Sequence, residues 1–402
     1  MDNWKRIFAI IWTGQLISIL SSSVVGYAII FWVSIETGSA ETLAIAAIAS
    51  LLPQSVLGMF TGVYIDRWNR KLVMILADTF IALSTLALVL LFYFGKAEIW
   101  HIYLLAAARS TGAAFHMPAM QASIPLIAPE SQLMRIAGIN QMIHSISSIG
   151  GPAIGALLLT LLDMSYVLLI DIVGALFAAG TLLFVTIPNP TKPATDEKPH
   201  VLREMKDGLR EIARDRGLFL MFIYSVIAFF FIMPVAVLFP LMTLNHFGGG
   251  VWQMSVVEIF WGGGMLLGGA LLGIKKTEMN KAILIGYMYL IFGITFLFSG
   301  LLPPSGFTWF VVLTAIGGVS TAAYNASFTS LIQIKINPAM LGRVFSTYTS
   351  MTLFPAMIGL LGTGYIADHI GLVNAFIICG IINLVIGGLS LLTPSIKATG
   401  KA

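Results

Sequence analysis

Charge is scarce in this chain. Asp, Glu, Lys and Arg make up 10% of 402 residues, 58% are hydrophobic, and mean hydropathy is +0.93. A soluble domain carries about 25% charged residues, so a water-exposed globule is excluded and a bilayer-embedded protein is implied. Cysteine is nearly absent: Cys379 stands alone inside an apolar run, which excludes a disulfide framework and a thiolate metal cluster. The six His are scattered, so no spacing suits a metal ion. The sequence contains no G-x-x-x-x-G-K-[ST] phosphate loop and no polar segment large enough for an ATPase domain. No cofactor and no enzymatic chemistry are therefore expected. A cleavable signal peptide is also missing, because the first apolar run, behind Lys5 and Arg6, is too long for a signal core.

Long apolar runs are abundant. Twelve of them, each near the ~20 residues needed to cross the hydrocarbon core, fall at 7–35, 42–64, 72–94, 100–122, 135–161, 165–187, 218–245, 252–274, 281–300, 307–332, 342–367 and 372–393. The expected fold is an all-α integral membrane protein with twelve transmembrane helices in two pseudo-symmetric six-helix bundles. Residues 1–187 form the first bundle, 188–217 a cytoplasmic linker and 218–402 the second. With both termini in the cytoplasm, twenty of the 22 Lys and Arg lie on that side. Lys96 and Arg109 are the exceptions. Basic residues in short loops set orientation, and a miscounted helix would scatter them. The net charge of +4 thus marks a membrane face and not a nucleic-acid partner.

The linker opens with the proline-rich IPNPTKP. Residues 200–216 then place Leu202, Met205, Leu209 and Ile212 at helical spacing among charges, which predicts an amphipathic surface helix. The two halves also read as diverged copies. A shift of 211 residues lays Gly269, Gly273 and Lys281 on Gly58, Gly62 and Arg70, and PAIG at Pro152–Gly155 has its counterpart in PAMIG at Pro355–Gly359. Repeats with a substrate site at their interface are a transporter architecture.

The stretch Gly58–Lys71, GMFTGVYIDRWNRK, carries the most specific pattern. Gly58 and Gly62 share a helix face and would admit a close neighbour. Asp66, Arg67, Arg70 and Lys71 follow where the helix meets water. The spacing G-x-x-x-D-R-x-x-R-K resembles the loop between helices 2 and 3 of the major facilitator superfamily. Asn69 stands where that family has a second glycine, a change a left-handed Asn would accommodate. In the fifth run, Ser147, Gly151 and Gly155 form a small-residue stripe bent by Pro152, with His144 at its cytoplasmic end. G-P-x-x-G-A there resembles the family's antiporter signature, found in exporters that exchange substrate for protons. R-S-T-G-A-A at 109–114 resembles its helix 4 motif, whose arginine is implicated in proton transfer. A structural ion pair is the competing reading for Arg109, since Arg itself scarcely deprotonates.

Other ionisable groups lie within the runs. Asp78, two turns from the 2–3 loop, reads either as a proton-coupling group or as a partner of the loop bases; Asp171 reads as a capping or packing residue. His144 titrates near neutral pH when unperturbed and is a relay candidate. Glu258, whose face continues through Gly262, Gly269 and Gly273, points into the bundle as a proton carrier or the anionic partner of a basic drug. The family builds its cavity from helices 1, 4, 7 and 10, which makes Gln15, Tyr27, Trp32, Phe230, Tyr324 and Asn325 substrate-contact candidates.

Further stretches resemble bacterial macrolide-efflux permeases: NWKRIFAIIWTGQ, AFHMPA with PLIAPESQL, HF-x₁₀-E-I-F, and P-x-x-L-G-R-V-F-S. The resemblance implies a proton-coupled exporter of small amphipathic compounds, working as a monomer by rocking of its halves in the bacterial inner membrane. Export of tetracycline or a siderophore, lysophospholipid flipping, and a non-transporting membrane scaffold stay open as alternatives.

Overall fold

The computed structural model describes residues 4–65, 68–129, 133–187, 201–274, 279–336 and 340–399. Helix dominates because lipid offers no water to satisfy bare backbone, so each apolar run closes its own N–H and C=O groups. Six long helices come first: α1 (Trp4–Thr37), α2 (Ala40–Ile65), α3 (Arg70–Tyr93), α4 (Ile99–Ile127), α5 (Leu133–Leu161) and α6 (Met164–Leu183). The short α7 (Val201–Ala213) precedes α8 (Arg216–Val237), α9 (Val251–Ile274), α10 (Lys281–Leu301), α11 (Phe307–Lys335), α12 (Leu341–Ile370), α13 (Leu372–Leu392) and the terminal α14 (Pro394–Thr399). Among the described residues ten helices are long and apolar enough to cross a membrane. The remaining two of the twelve are α4, diluted by His101, Arg109 and His116, and α12, whose apolar part is Met351–Gly362. The all-α, twelve-helix expectation holds.

Connections are short. Gly38, at φ 58°, joins α1 to α2, and Gly371, at φ 91°, is the only residue between α12 and α13. Both backbones lie where a Cβ would be strained, so glycine is required there. The chain divides into two compact units, one of 1–33 with 45–199 and one of 34–44 with 200–402. The loop after α1 joins the second unit, where Asn245 Nδ2 donates to the Gly38 carbonyl at 3.3 Å.

Each unit carries the marks of the repeat. Asn69 caps α3 by accepting from Leu72 N at 3.1 Å; Asn280, 211 residues on, caps α10 by accepting from Ala282 N at 2.9 Å and Ile283 N at 3.3 Å. Asn69 does so with an extended backbone, φ −67° and ψ 104°, so the expected left-handed conformation is not what it supplies. An N-cap side chain satisfies donors that the first helical turn leaves unpaired. The matching prolines Pro152 and Pro355 both lie inside helices, α5 and α12. A Cβ at Gly155 would sit 2.8 Å from the Val24 carbonyl of α1, and one at Gly359 would overlap the Phe230 carbonyl of α8. The same helix pair thus closes in each unit through a glycine one turn beyond a proline.

A helix forms over 201–213, with Ile212 buried but Leu209 exposed; the side chains of Leu202 and Met205 are outside the described set. Asp215 caps α8 through Gly217 N (2.8 Å) and Leu218 N (3.0 Å), and also accepts from Thr399 of α14 at 2.7 Å.

Candidate functional site

Helix α3 turns Leu76, Leu83 and Leu90 outward, all about half exposed or more, and buries Asp78 and Thr85. That inversion, apolar outside and polar inside, defines a polar core in the first unit. Its main layer gathers four helices. Arg109 of α4 pairs with Asp171 of α6, which is 1% exposed. Asp171 also accepts from Ser22 Oγ of α1 at 2.7 Å and Thr85 Oγ1 of α3 at 3.1 Å, and Arg109 Nη2 reaches the Ser22 carbonyl at 3.2 Å. A membrane-embedded Arg normally finds such a partner, and breaking a buried pair costs about 3–5 kcal/mol. Asp171 is therefore the counter-ion of Arg109 and not a cap, which corrects the sequence expectation. Two lone opposite charges in two separate apolar runs were the available signal.

Among the described residues, Asp78 pairs with neither Arg70 nor Lys71. It faces His116 of α4, with Oδ1 3.4 Å from Nε2, and both residues are buried. The loop bases are used elsewhere: Arg70 Nη1 donates to the Ala122 carbonyl at 2.6 Å, and Lys71 Nζ donates to Val185 O at 2.8 Å. Each covers carbonyls near a helix C-terminus, where a cation complements the dipole. In the sequence His116 reads only as one of six scattered histidines. Its position seven residues after Arg109, matching Asp78 seven before Thr85, is the register that would have singled it out.

The α5 stripe packs against α1. Ser23 Oγ donates to the Ser147 carbonyl at 2.8 Å, and a Cβ on Gly151 would lie 3.0 Å from Ser23 Cβ and 3.2 Å from the Tyr27 ring. Pro152 is buried beside this seam, whereas His144, one turn away, is exposed. Gly58 has nothing within 4 Å, so it is not the close-contact position expected. Asp66 and Arg67 lie outside the described residues, and for Gly62 only its helical backbone is described.

Among the cavity candidates, Gln15 is 1% exposed and neither of its amide atoms has a hydrogen-bond partner. Trp32 stacks edge-on to Phe92 at 5.1 Å and borders a shallow groove with Asp163 and Tyr166. In the second unit Tyr324 is buried and bonded: its hydroxyl meets Ser225 Oγ and Tyr348 Oη, each at 2.8 Å, and Tyr289 Oη at 3.4 Å. Phe222, Phe229 and Phe328 ring this hydroxyl knot. Asn325 is exposed and Phe230 half-buried against Gly359. Glu258 of α9 is half-buried. The packing glycines of α9 are Gly264 and Gly268, set against Ala315 and Val319 of α11, while Gly269 faces open space. Of the stripe expected to continue the Glu258 face, Gly262 is buried and Gly269 open. Among the described residues no group of three metal-ligating side chains occurs.

Residues 11–298 match the sequence model of the Major Facilitator Superfamily. The chain is 38% identical to Macrolide efflux protein A of Streptococcus pyogenes over 379 residues, covering 94% of each. It is 38% identical to Macrolide efflux protein A of Enterococcus faecalis over 323 residues, covering 80% of this chain and all of the relative. Among solved structures it resembles a POT family transporter in complex with 5-aminolevulinic acid, with TM-score 0.74, 13% identity and 96% of each chain covered.

Proposed function

Because this chain belongs to the Major Facilitator Superfamily, we propose that it is an efflux transporter for macrolides and similar small amphipathic compounds, driven by protons. The observation that carries the reading is the 38% identity to Macrolide efflux protein A along 94% of both chains. The antiporter-like seam of Gly151, Pro152 and Gly155 supports exchange over import. Ionisable groups buried in the spanning bundle, Arg109 with Asp171 and Asp78 with His116, supply charge chemistry to link transport to protons. Glu258 of α9, half-buried, is the second unit's candidate for binding a basic drug. The protein works as a monomer in the bacterial inner membrane, with both termini in the cytoplasm and no enzymatic step. The loop bases at Arg70 and Lys71 then lie on the cytoplasmic face, as the positive-inside bias requires.

Expression in a pump-deficient bacterial host tests this directly. Macrolide resistance should rise several-fold, and cells loaded with erythromycin should lose it faster than controls until a protonophore is added. Unchanged susceptibility across macrolides would sink the substrate assignment, and protonophore-insensitive export would sink the coupling.

A further inference from the structure

The contacts of the first unit set an antiparallel register. In α1 and α6, Gly14 meets Thr181, Ser21 meets Gly174 and Ser22 meets Asp171. In α3 and α4, Arg70 meets Ala122, Ile81 meets Gly112 and Asp78 meets His116. Moving seven residues along each helix from the Ser22–Thr85–Arg109–Asp171 layer, about 10 Å at 1.5 Å per residue, arrives at Gln15, Asp78, His116 and Ala178. A second buried polar layer therefore lies under the first.

The two layers differ in satisfaction. Asp171 accepts three bonds. In the second layer, Asp78 Oδ2, His116 Nε2 and both amide atoms of Gln15 make no hydrogen bond, and the 3.4 Å approach of Nε2 to Asp78 Oδ1 lacks hydrogen-bond alignment. All three side chains are more than nine-tenths buried. Unmade bonds at buried polar atoms are costly, so a purely structural layer would be expected to close them, as the first layer does.

We propose that Asp78 and His116, at the level of Gln15, form the site that takes up and releases the driving proton. The proposal rests on the proton-coupled reading above. One proton adds to the pair and later leaves it; no other bond changes. The proton adds to the unpartnered Asp78 Oδ2, giving a buried carboxylic acid whose Oδ1 can accept from Nε2–H of a neutral His116, and the Gln15 amide can donate or accept according to the state. The charged groups around the pair are few. From α3 itself there is Arg70, held on the Ala122 carbonyl; from α4, Arg109; from α6, Asp171, already paired with Arg109. α1 presents no charged residue between Arg6 and Glu36, α2 none between Glu41 and Asp66, and α5 has only the exposed His144 between Arg135 and Asp163. The Arg109–Asp171 layer thus stands as the neighbour to which a change of charge is transmitted.

Infrared difference spectra of the purified full-length protein, taken between about pH 8 and pH 5 across the histidine range, read the site without a drug. The wild type should show a carboxylic-acid C=O band that disappears in Asp78→Asn and persists in Asp163→Asn, an exposed control. In His116→Gln the midpoint of that band should move by more than about one pH unit, which keeps the test open if Asp78→Asn fails to fold. A missing wild-type band, or a band unaltered in either folded variant, overturns the proposal. In proteoliposomes with erythromycin as probe, proton release on drug addition should fall at least tenfold in Asp78→Asn. No release from the wild type would overturn the coupled reading itself; release from the wild type with equal release from both variants would overturn only this site.

Discussion

The two units share their construction and differ in their filling. Asn69 and Asn280 cap matching helices, and Gly155 and Gly359 close matching seams. Inside the first unit, however, the buried polar groups include Arg70, Asp78, His116 and Asp171, whereas those described in the second are neutral: Ser, Thr, Asn and the Tyr289–Tyr324–Tyr348 hydroxyls around Ser225. A hydroxyl knot can be fully satisfied in one arrangement and has no reason to change. A set of buried charges has at least two protonation states with different best arrangements. On the proposed proton coupling, the first unit is where protons would act.

The sharpest way to break this asymmetry is to strand a charge. Asp171→Ala leaves the largely enclosed Arg109 without its counter-ion, and export and folded yield should both collapse, a loss of about 3–5 kcal/mol. Arg109→Met with Asp171→Leu should recover monodisperse protein on size exclusion but not export. Full export by the double variant would show that the first layer is only a strut.

Overpacking the seams should hurt both units alike. Gly151→Leu forces a side chain into Ser23 and Tyr27, and Gly359→Leu forces one into the Phe230 carbonyl. Each should cost about 1–3 kcal/mol or more and abolish macrolide resistance. If only one matters, the repeat is not functionally symmetric at this point.

Tyr324→Phe sharpens the contrast from the neutral side. It removes hydroxyl contacts to Ser225 and Tyr348, about 1 kcal/mol for each bond lost, so the melting temperature should drop by a few degrees. The pH profile of transport should keep its midpoint. A shifted midpoint would give the second unit a share in proton coupling. The smallest effects belong to the caps: Asn69→Ala and Asn280→Ala should each cost about 1 kcal/mol, equal within error in thermal melts.

Fold was legible because hydropathy reports on helix length and basic residues report on loops. Both are local properties of the chain, and lipid permits only helices that satisfy themselves. The repeat was legible from Pro152–Gly155 and Pro355–Gly359, since a glycine that must touch a backbone leaves a spacing in the sequence. The charged core was only half legible. Arg109 announced itself as a charge in an apolar run, but Asp171, Asp78 and His116 each read as something lesser. Nothing in one helix says which residue of another lies opposite it.

The sequence by itself therefore determined how many helices there are and where they turn. The tertiary structure alone decided that Asp171 answers Arg109 while Asp78 answers His116, and that Tyr324 is bonded inside its bundle. The physical reason is that pairing depends on the register and rotation of packed helices. These follow from contacts such as Gly14 on Thr181 and Gly112 on Ile81, made between residues far apart in the chain.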